Sequence, residues 1–106
     1  MSYSVVFTPE AEAQLVRLYR YIAEKASPKT AATYTSAIVD YCGTMSSFPN
    51  RGTPREDVRP GLRITNYKSR AVIAFAVDDA AMRVSILGVF YGGQDHESAL
   101  KSDLGD

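Results

Sequence analysis

Two short motifs, Thr8-Pro9 and Ser27-Pro28, constrain this chain more than any other feature in it. In each, a hydroxyl side chain able to accept from an orphan helix N–H stands directly before a proline. The proline's fixed φ suits the first helical position, and its missing N–H costs nothing there. Glu10 and Glu12 add negative charge to the first turn after Thr8-Pro9, where the helix dipole is positive. Apolar side chains then recur at Ala11, Leu15, Leu18, Tyr19 and Ile22, with Gln14, Arg17, Arg20 and Glu24 opposite, the pattern of a half-buried helix. The second motif ends that helix near Lys25, because a residue before proline avoids the helical region, and starts another almost at once. A helical hairpin is the expected result.

The second helix carries Ala31, Tyr34, Ile38, Tyr41, Met45 and Phe48 three and four residues apart, a narrow seam suited to packing along a helix or a sheet. At Phe48-Pro49-Asn50-Arg51-Gly52-Thr53-Pro54 two prolines after Phe48 and one glycine predict an extended, irregular and basic connection. Elsewhere the pattern is that of strands. Tyr3 to Phe7 is β-branched and aromatic, Leu62 to Thr65 alternates, Ala71 to Val77 is almost continuously apolar, and Met82 to Tyr91 is rich in Val, Ile, Leu and aromatics. Asp78-Asp79-Ala80-Ala81 predicts the turn of an antiparallel hairpin, with a less sharply marked turn around Tyr67-Lys68-Ser69. The fold class expected is α+β, in the order strand-helix-helix-strand-strand-strand, with the helical hairpin packed on one face of a mostly antiparallel sheet. The opposite face must be exposed or occupied.

A chain of 106 residues, 45% hydrophobic, has room for one domain spanning 1–106 and no second core. Residues 94–106 read as an acidic, weakly patterned tail, with at most one helical turn from Glu97 to Lys101. Twelve basic and twelve acidic side chains balance, so any attraction to nucleic acid must come from a local patch, and direct sequence-specific binding is not expected. The single cysteine, Cys42, cannot form an internal disulfide and suits a reducing cytosol. Nothing resembles a signal peptide or a membrane span, so a soluble, cytoplasmic protein is expected.

The local patch exists. Arg51, Arg55, Arg59, Arg63, Lys68 and Arg70 stand against only Glu56 and Asp57 between positions 51 and 70. A solvated surface and a site for an acidic partner are equally good readings of it. Arg63 and Arg70 are flanked by apolar strand residues, and alternation can project them onto the sheet face away from the helices. Arg83 has Asp79 across the turn as an ion-pair partner. His96 lies between Asp95 and Glu97, but consecutive side chains point apart and there is no second histidine. Neither a metal site nor a cofactor is therefore expected. Cys42 reads as an inert core thiol, and Tyr19, Tyr21, Tyr34 and Tyr41 as hairpin packing with their hydroxyls at the surface, requiring no base-stacking platform.

The element order, together with Phe7-Thr8-Pro9-Glu10-Ala11, Arg59-Pro60-Gly61-Leu62-Arg63 and Val84-Ser85-Ile86-Leu87-Gly88-Val89-Phe90-Tyr91-Gly92, resembles the RelE/ParE toxins over nearly the whole chain. That resemblance implies the toxin of a type II toxin-antitoxin (plasmid stabilisation) system, and leaves two activities to separate. RelE-like members are ribosome-dependent mRNA endonucleases, whereas ParE-like members poison DNA gyrase without nuclease chemistry. Where RelE-like chains carry a Tyr-Arg pair near the start of the penultimate strand, this one has Ala71-Val72, with Arg70 just before; where they carry a basic residue after the last strand, it has Gly92-Gly93-Gln94. Tyr91-Gly92 and Asp95 match the ParE-like ending except for tyrosine in place of histidine.

The favoured expectation is thus a non-enzymatic ParE-like toxin. It would form a hetero-oligomer with a ParD-like antitoxin whose disordered C-terminal segment folds on it. Arg59, Arg63, Lys68, Arg70 and Tyr91 are the expected contacts to the target, and Leu15, Leu18, Tyr19, Ile22, Arg51 and Arg55 those to the antitoxin. Under the nuclease alternative Arg63, Arg70 and Tyr91 would be catalytic. A third reading is a homologue that has lost toxicity and only titrates an antitoxin.

Overall fold

In a computed structural model that describes residues 2–68 and 70–92, both hydroxyl-proline pairs begin helices. Thr8 Oγ1 accepts from the Ala11 N–H at 3.2 Å and Ser27 Oγ from the Thr30 N–H at 3.1 Å. They cap α1 (Pro9–Lys25) and α2 (Pro28–Gly43), with only Ala26 and Ser27 between the helices. α2 is shorter than the apolar seam predicts: it tightens after Gly43 into a 3-10 turn, Thr44–Ser46. The Thr44 hydroxyl donates to the Tyr41 carbonyl at 2.6 Å, satisfying one of the acceptors a helix end leaves open. Met45 is still fully buried, but Phe48 leaves the seam and is 64% exposed.

The strands are β1 (Ser4–Phe7), β2 (Thr53–Pro54), β3 (Leu62–Tyr67), β4 (Ala71–Asp78) and β5 (Arg83–Tyr91), in the sheet order β1-β5-β4-β3-β2. β1 runs parallel to β5 and the remaining pairs are antiparallel. The predicted strands are all present. β2 was not expected; it is a two-residue edge strand in the basic connection, paired with Ile64 and Arg63. Its approach depends on Gly52, whose φ of +77° is left-handed and where a Cβ would run into the Ile64 carbonyl oxygen.

β4 and β5 pair from Asp78↔Arg83 to Phe75↔Ile86 and again from Ala74↔Gly88 to Ala71↔Tyr91, which leaves Leu87 without a partner. This extra residue is a β-bulge, and because strand side chains alternate with period two it exchanges the faces of everything after it. Val84 and Ile86 face the helices before the bulge, Val89 and Tyr91 after it, while Leu87 and Phe90 turn to the opposite side.

The main core lies between hairpin and sheet, where Ala11, Leu18, Ile22, Ala31, Ile38 and Cys42 meet Ile73, Phe75, Val84 and Ile86. A smaller cluster of Leu62, Ala74 and Phe90, with Val58, Ile64, Val72 and Leu87 against it, makes the other face apolar as well. Burial pushes the Cys42 thiol up to about 12, so it stays protonated at neutral pH and is no nucleophile. Asp79 accepts from the Tyr3 hydroxyl at 2.6 Å and makes no ion pair with Arg83 among the described residues, correcting that expectation. Ile38 is fully buried and Leu15 only partly. Ile38→Ala is therefore expected to cost about 2–5 kcal/mol in urea denaturation, and Leu15→Ala clearly less.

Candidate functional site

The tyrosines do not stay within the hairpin. Because the bulge turns Tyr91 toward the helices, it meets Tyr21 of α1 at 6.0 Å between ring centroids and Tyr34 of α2 at 5.8 Å. Tyr34 then meets Tyr67 at 6.1 Å, and Tyr67 meets Tyr41 at 5.1 Å. Five rings from both helices and two strands thus form one tilted, edge-to-face row along the Tyr67 end of β3, a geometry worth about 0.5–1.5 kcal/mol per pair beyond burial. Cations flank it. Arg51 lies 4.9 Å over the Tyr41 ring, Lys68 5.6 Å over Tyr67, and Lys25 6.0 Å over Tyr21. The Tyr34 hydroxyl, expected at the surface, is buried and has no hydrogen-bond partner among the described residues. Burial holds its pKa above the usual 10, Tyr91 and Tyr67 add to the effect, and nearby Arg70 partly opposes it.

The basic residues separate into different roles. Arg63 alternates with Leu62 and Ile64, which belong to the far cluster, and it pairs across the sheet with Phe75 of the main core. It therefore points to the helical side, opposite to the expected face. Its guanidinium donates to the carbonyls of Arg51 at 2.9 Å, Asn50 at 2.7 Å and Gly52 at 3.3 Å, binding the connection after α2 to the sheet. Arg70 is exposed in the turn between β3 and β4, where its carbonyl accepts from the Gly92 N–H at 3.1 Å beside Tyr91. Lys68, also exposed, occupies the same turn with a φ of 52°. Arg59 is half-buried at the opposite end of the sheet, with Gly61, Val77 and Asp78 around a common cavity. Of the five expected target contacts, Lys68, Arg70 and Tyr91 come together. Arg63 stands four β3 residues from Tyr67, about 13 Å at ~3.3 Å per residue.

The expected antitoxin contacts also divide. Leu18 and Ile22 are core residues, 6% and 7% exposed, because they share the inward face with Ala11. Arg51 stacks on Tyr41, and Arg55 holds Asp57 through two hydrogen bonds of 3.0 and 2.9 Å. Leu15 and Tyr19 do border a groove of about 370 Å³ on the outer side of the hairpin, together with Val16, Thr35, Ser36, Val39 and Asp40. Val16 and Val39, not singled out from the sequence, are 49% and 42% exposed. Two valines displaced from the core seam onto otherwise polar helix faces were the available signal.

His96 and Asp95 lie outside the described residues, among which no cluster of potential metal ligands occurs. Among the described residues no helix is long and apolar enough to cross a membrane. Because each hydrogen bond to a charged group contributes about 1.5–3 kcal/mol, Arg63→Ala is expected to lower stability by at least that much in urea denaturation. Arg70→Ala is expected to stay within about 0.5 kcal/mol of the parent.

Known proteins share this fold. Residues 5–96 match the family model described as the ParE toxin of the type II toxin-antitoxin system, parDE. The chain is 32% identical over 69 residues to Toxin ParE3 of Caulobacter vibrioides, covering 65% of this chain and 69% of that one. Among solved structures it is similar to the chromosomal ParDE toxin-antitoxin system from P. aeruginosa, with a TM-score of 0.74 at 22% identity over 87% of this chain and 98% of that one. The toxin-antitoxin complex RelBE2 from Mycobacterium tuberculosis gives 0.58 at 25% identity, covering 86% and 92%. A mutant of E. coli RelE in the free state gives 0.66 at 12% identity, with both chains fully covered, a likeness of fold. The order of motifs, the helical hairpin on a five-stranded sheet and these matches agree: the chain belongs to the ParE toxin family of type II toxin-antitoxin systems.

Proposed function

We propose that this chain is a growth-inhibiting toxin of the cytoplasm that poisons DNA gyrase and is held inactive by a ParD-like antitoxin, not a ribosome-dependent mRNA endonuclease. The observation that carries the choice is the separation of Arg63 from Arg70 and Tyr91. Cleavage through a 2′-hydroxyl needs a base, a cation and an acid around one phosphate, each within hydrogen-bond reach. Arg63 is instead committed to three backbone carbonyls on the helical side. The sheet face opposite the helices is mainly apolar, with Leu62, Ile64, Val72, Leu87 and Phe90, and its polar groups, Arg59, Asp78, Asp79 and Ser85, gather at the end away from Arg70 and Tyr91. Both observations favour inhibition by docking over inhibition by chemistry. Lys68 and Arg70, exposed beside the tyrosine row, are the cations available to an acidic surface of the target.

The antitoxin is assigned to the outer groove of the hairpin. Val16, Tyr19 and Val39 offer apolar surface between two helices, which suits the apolar face of a third. The names of the similar P. aeruginosa and M. tuberculosis structures describe toxin-antitoxin systems, which supports an antitoxin partner.

Supercoiling of relaxed plasmid by gyrase and ATP, titrated with the folded chain, tests both parts. Inhibition or trapped cleaved DNA, reversed by the antitoxin, is expected; Val39→Asp should still inhibit but resist reversal. Unchanged supercoiling would remove gyrase as the target, and full reversal of Val39→Asp would place the antitoxin elsewhere.

A further inference from the structure

A pocket of about 360 Å³ opens on the other side of α1, between that helix and the end of β5, lined by Gln14, Arg17, Leu18, Tyr21, Val89, Tyr91 and Gly92. Its size falls within the range of small-ligand sites. Among the described residues nothing acidic lines it. Gln14 is already oriented: its Oε1 accepts from the Val89 N–H at 2.7 Å, beyond the point where β1 stops covering the β5 edge, so its amide nitrogen remains a donor. A side chain at Gly88 would crowd this place, its Cβ 2.7 Å from the Phe90 ring and 3.2 Å from the same Gln14 oxygen. Arg17 makes no ion pair among the described residues and stands one helical turn before Tyr21 on the same face. Lys25, one turn after Tyr21, places its ammonium 6.0 Å from the ring centroid. Tyr21 is 51% exposed, and its ring and that of Tyr91, inclined at 60°, form an aromatic wall.

We propose that this pocket binds a planar ring carrying a phosphate, of mononucleotide size, with the ring against Tyr21, the phosphate on Arg17 and a ring acceptor at the Gln14 amide. An aromatic wall gains from a ring, and a guanidinium holds phosphate through paired hydrogen bonds; the combination favours a ligand bearing both. The proposal goes beyond the gyrase reading and does not depend on it.

The test is a titration of the isotope-labelled full chain with AMP, adenosine and inorganic phosphate in turn, followed by NMR. Saturable shifts at Gln14, Arg17 and Tyr21 are expected with AMP, with adenosine and phosphate each binding at least about tenfold more weakly, a difference of ~1.4 kcal/mol. Arg17→Gln should bring AMP down to the adenosine level, and Tyr21→Leu should weaken AMP and adenosine together, in variants whose remaining spectrum is unchanged. Absence of AMP-dependent shifts at these residues, equal binding of AMP and adenosine, or an Arg17→Gln variant that binds AMP normally would overturn the proposal.

Discussion

The parallel pairing of the first strand with the last constrains the rest of the molecule. Ser4 to Phe7 lie beside Arg83 to Ile86, and the joint is secured at Thr8. Its N–H donates to the Ile86 carbonyl at 3.1 Å, its hydroxyl donates to the same oxygen at 2.9 Å, and that hydroxyl also accepts from the Ala11 N–H. One residue thus ends β1, starts α1 and attaches both to β5. Strands that run the same way cannot be joined by a tight turn, so the chain must cross the sheet before returning. The helical hairpin makes that crossing over one face, and β2 to β4 bring the chain back on antiparallel turns to the centre.

The bulge at Leu87 determines what the end of β5 presents to the hairpin. Without the extra residue Phe90 would face the helices and Tyr91 the far side. With it, Tyr91 joins α1, α2 and β3 through a row of aromatic contacts, while Phe90 completes the second apolar cluster. The same shift places Val89 where Gln14 can take its free N–H. The outer groove and the inner pocket, on opposite sides of α1, both follow from how this helix is held at Thr8 and along β5.

What could be read from the sequence was local. A hydroxyl residue before proline is decided within one helical turn, so both helix starts, the near absence of a loop between them and the strands were legible. Side-chain parity was not enough for Arg63: alternation says that it differs from Leu62 and Ile64, but Leu62, Ile64 and Tyr67 supply apolar groups to both faces, leaving no binary pattern to choose between them. β2 depends on a register with β3 that two residues cannot specify alone, and the bulge was marked only by an isolated Gly88. Leu18 and Ile22 were correctly read as one apolar face but assigned to a partner, whereas the exposed Val16 and Val39 fit that role better. The tyrosine row joins residues far apart in the chain, and no local pattern announces it.

The central claim, that this fold disables its target by docking and cleaves no RNA, is tested most directly inside cells. Messenger RNA ends would be mapped at nucleotide resolution shortly after the toxin is induced without its antitoxin. The account predicts arrested growth with no new sharp ends inside translated codons. Ends recurring at fixed codon positions, abolished when translation is blocked, would contradict it and make Arg70 and Tyr91 catalytic candidates again.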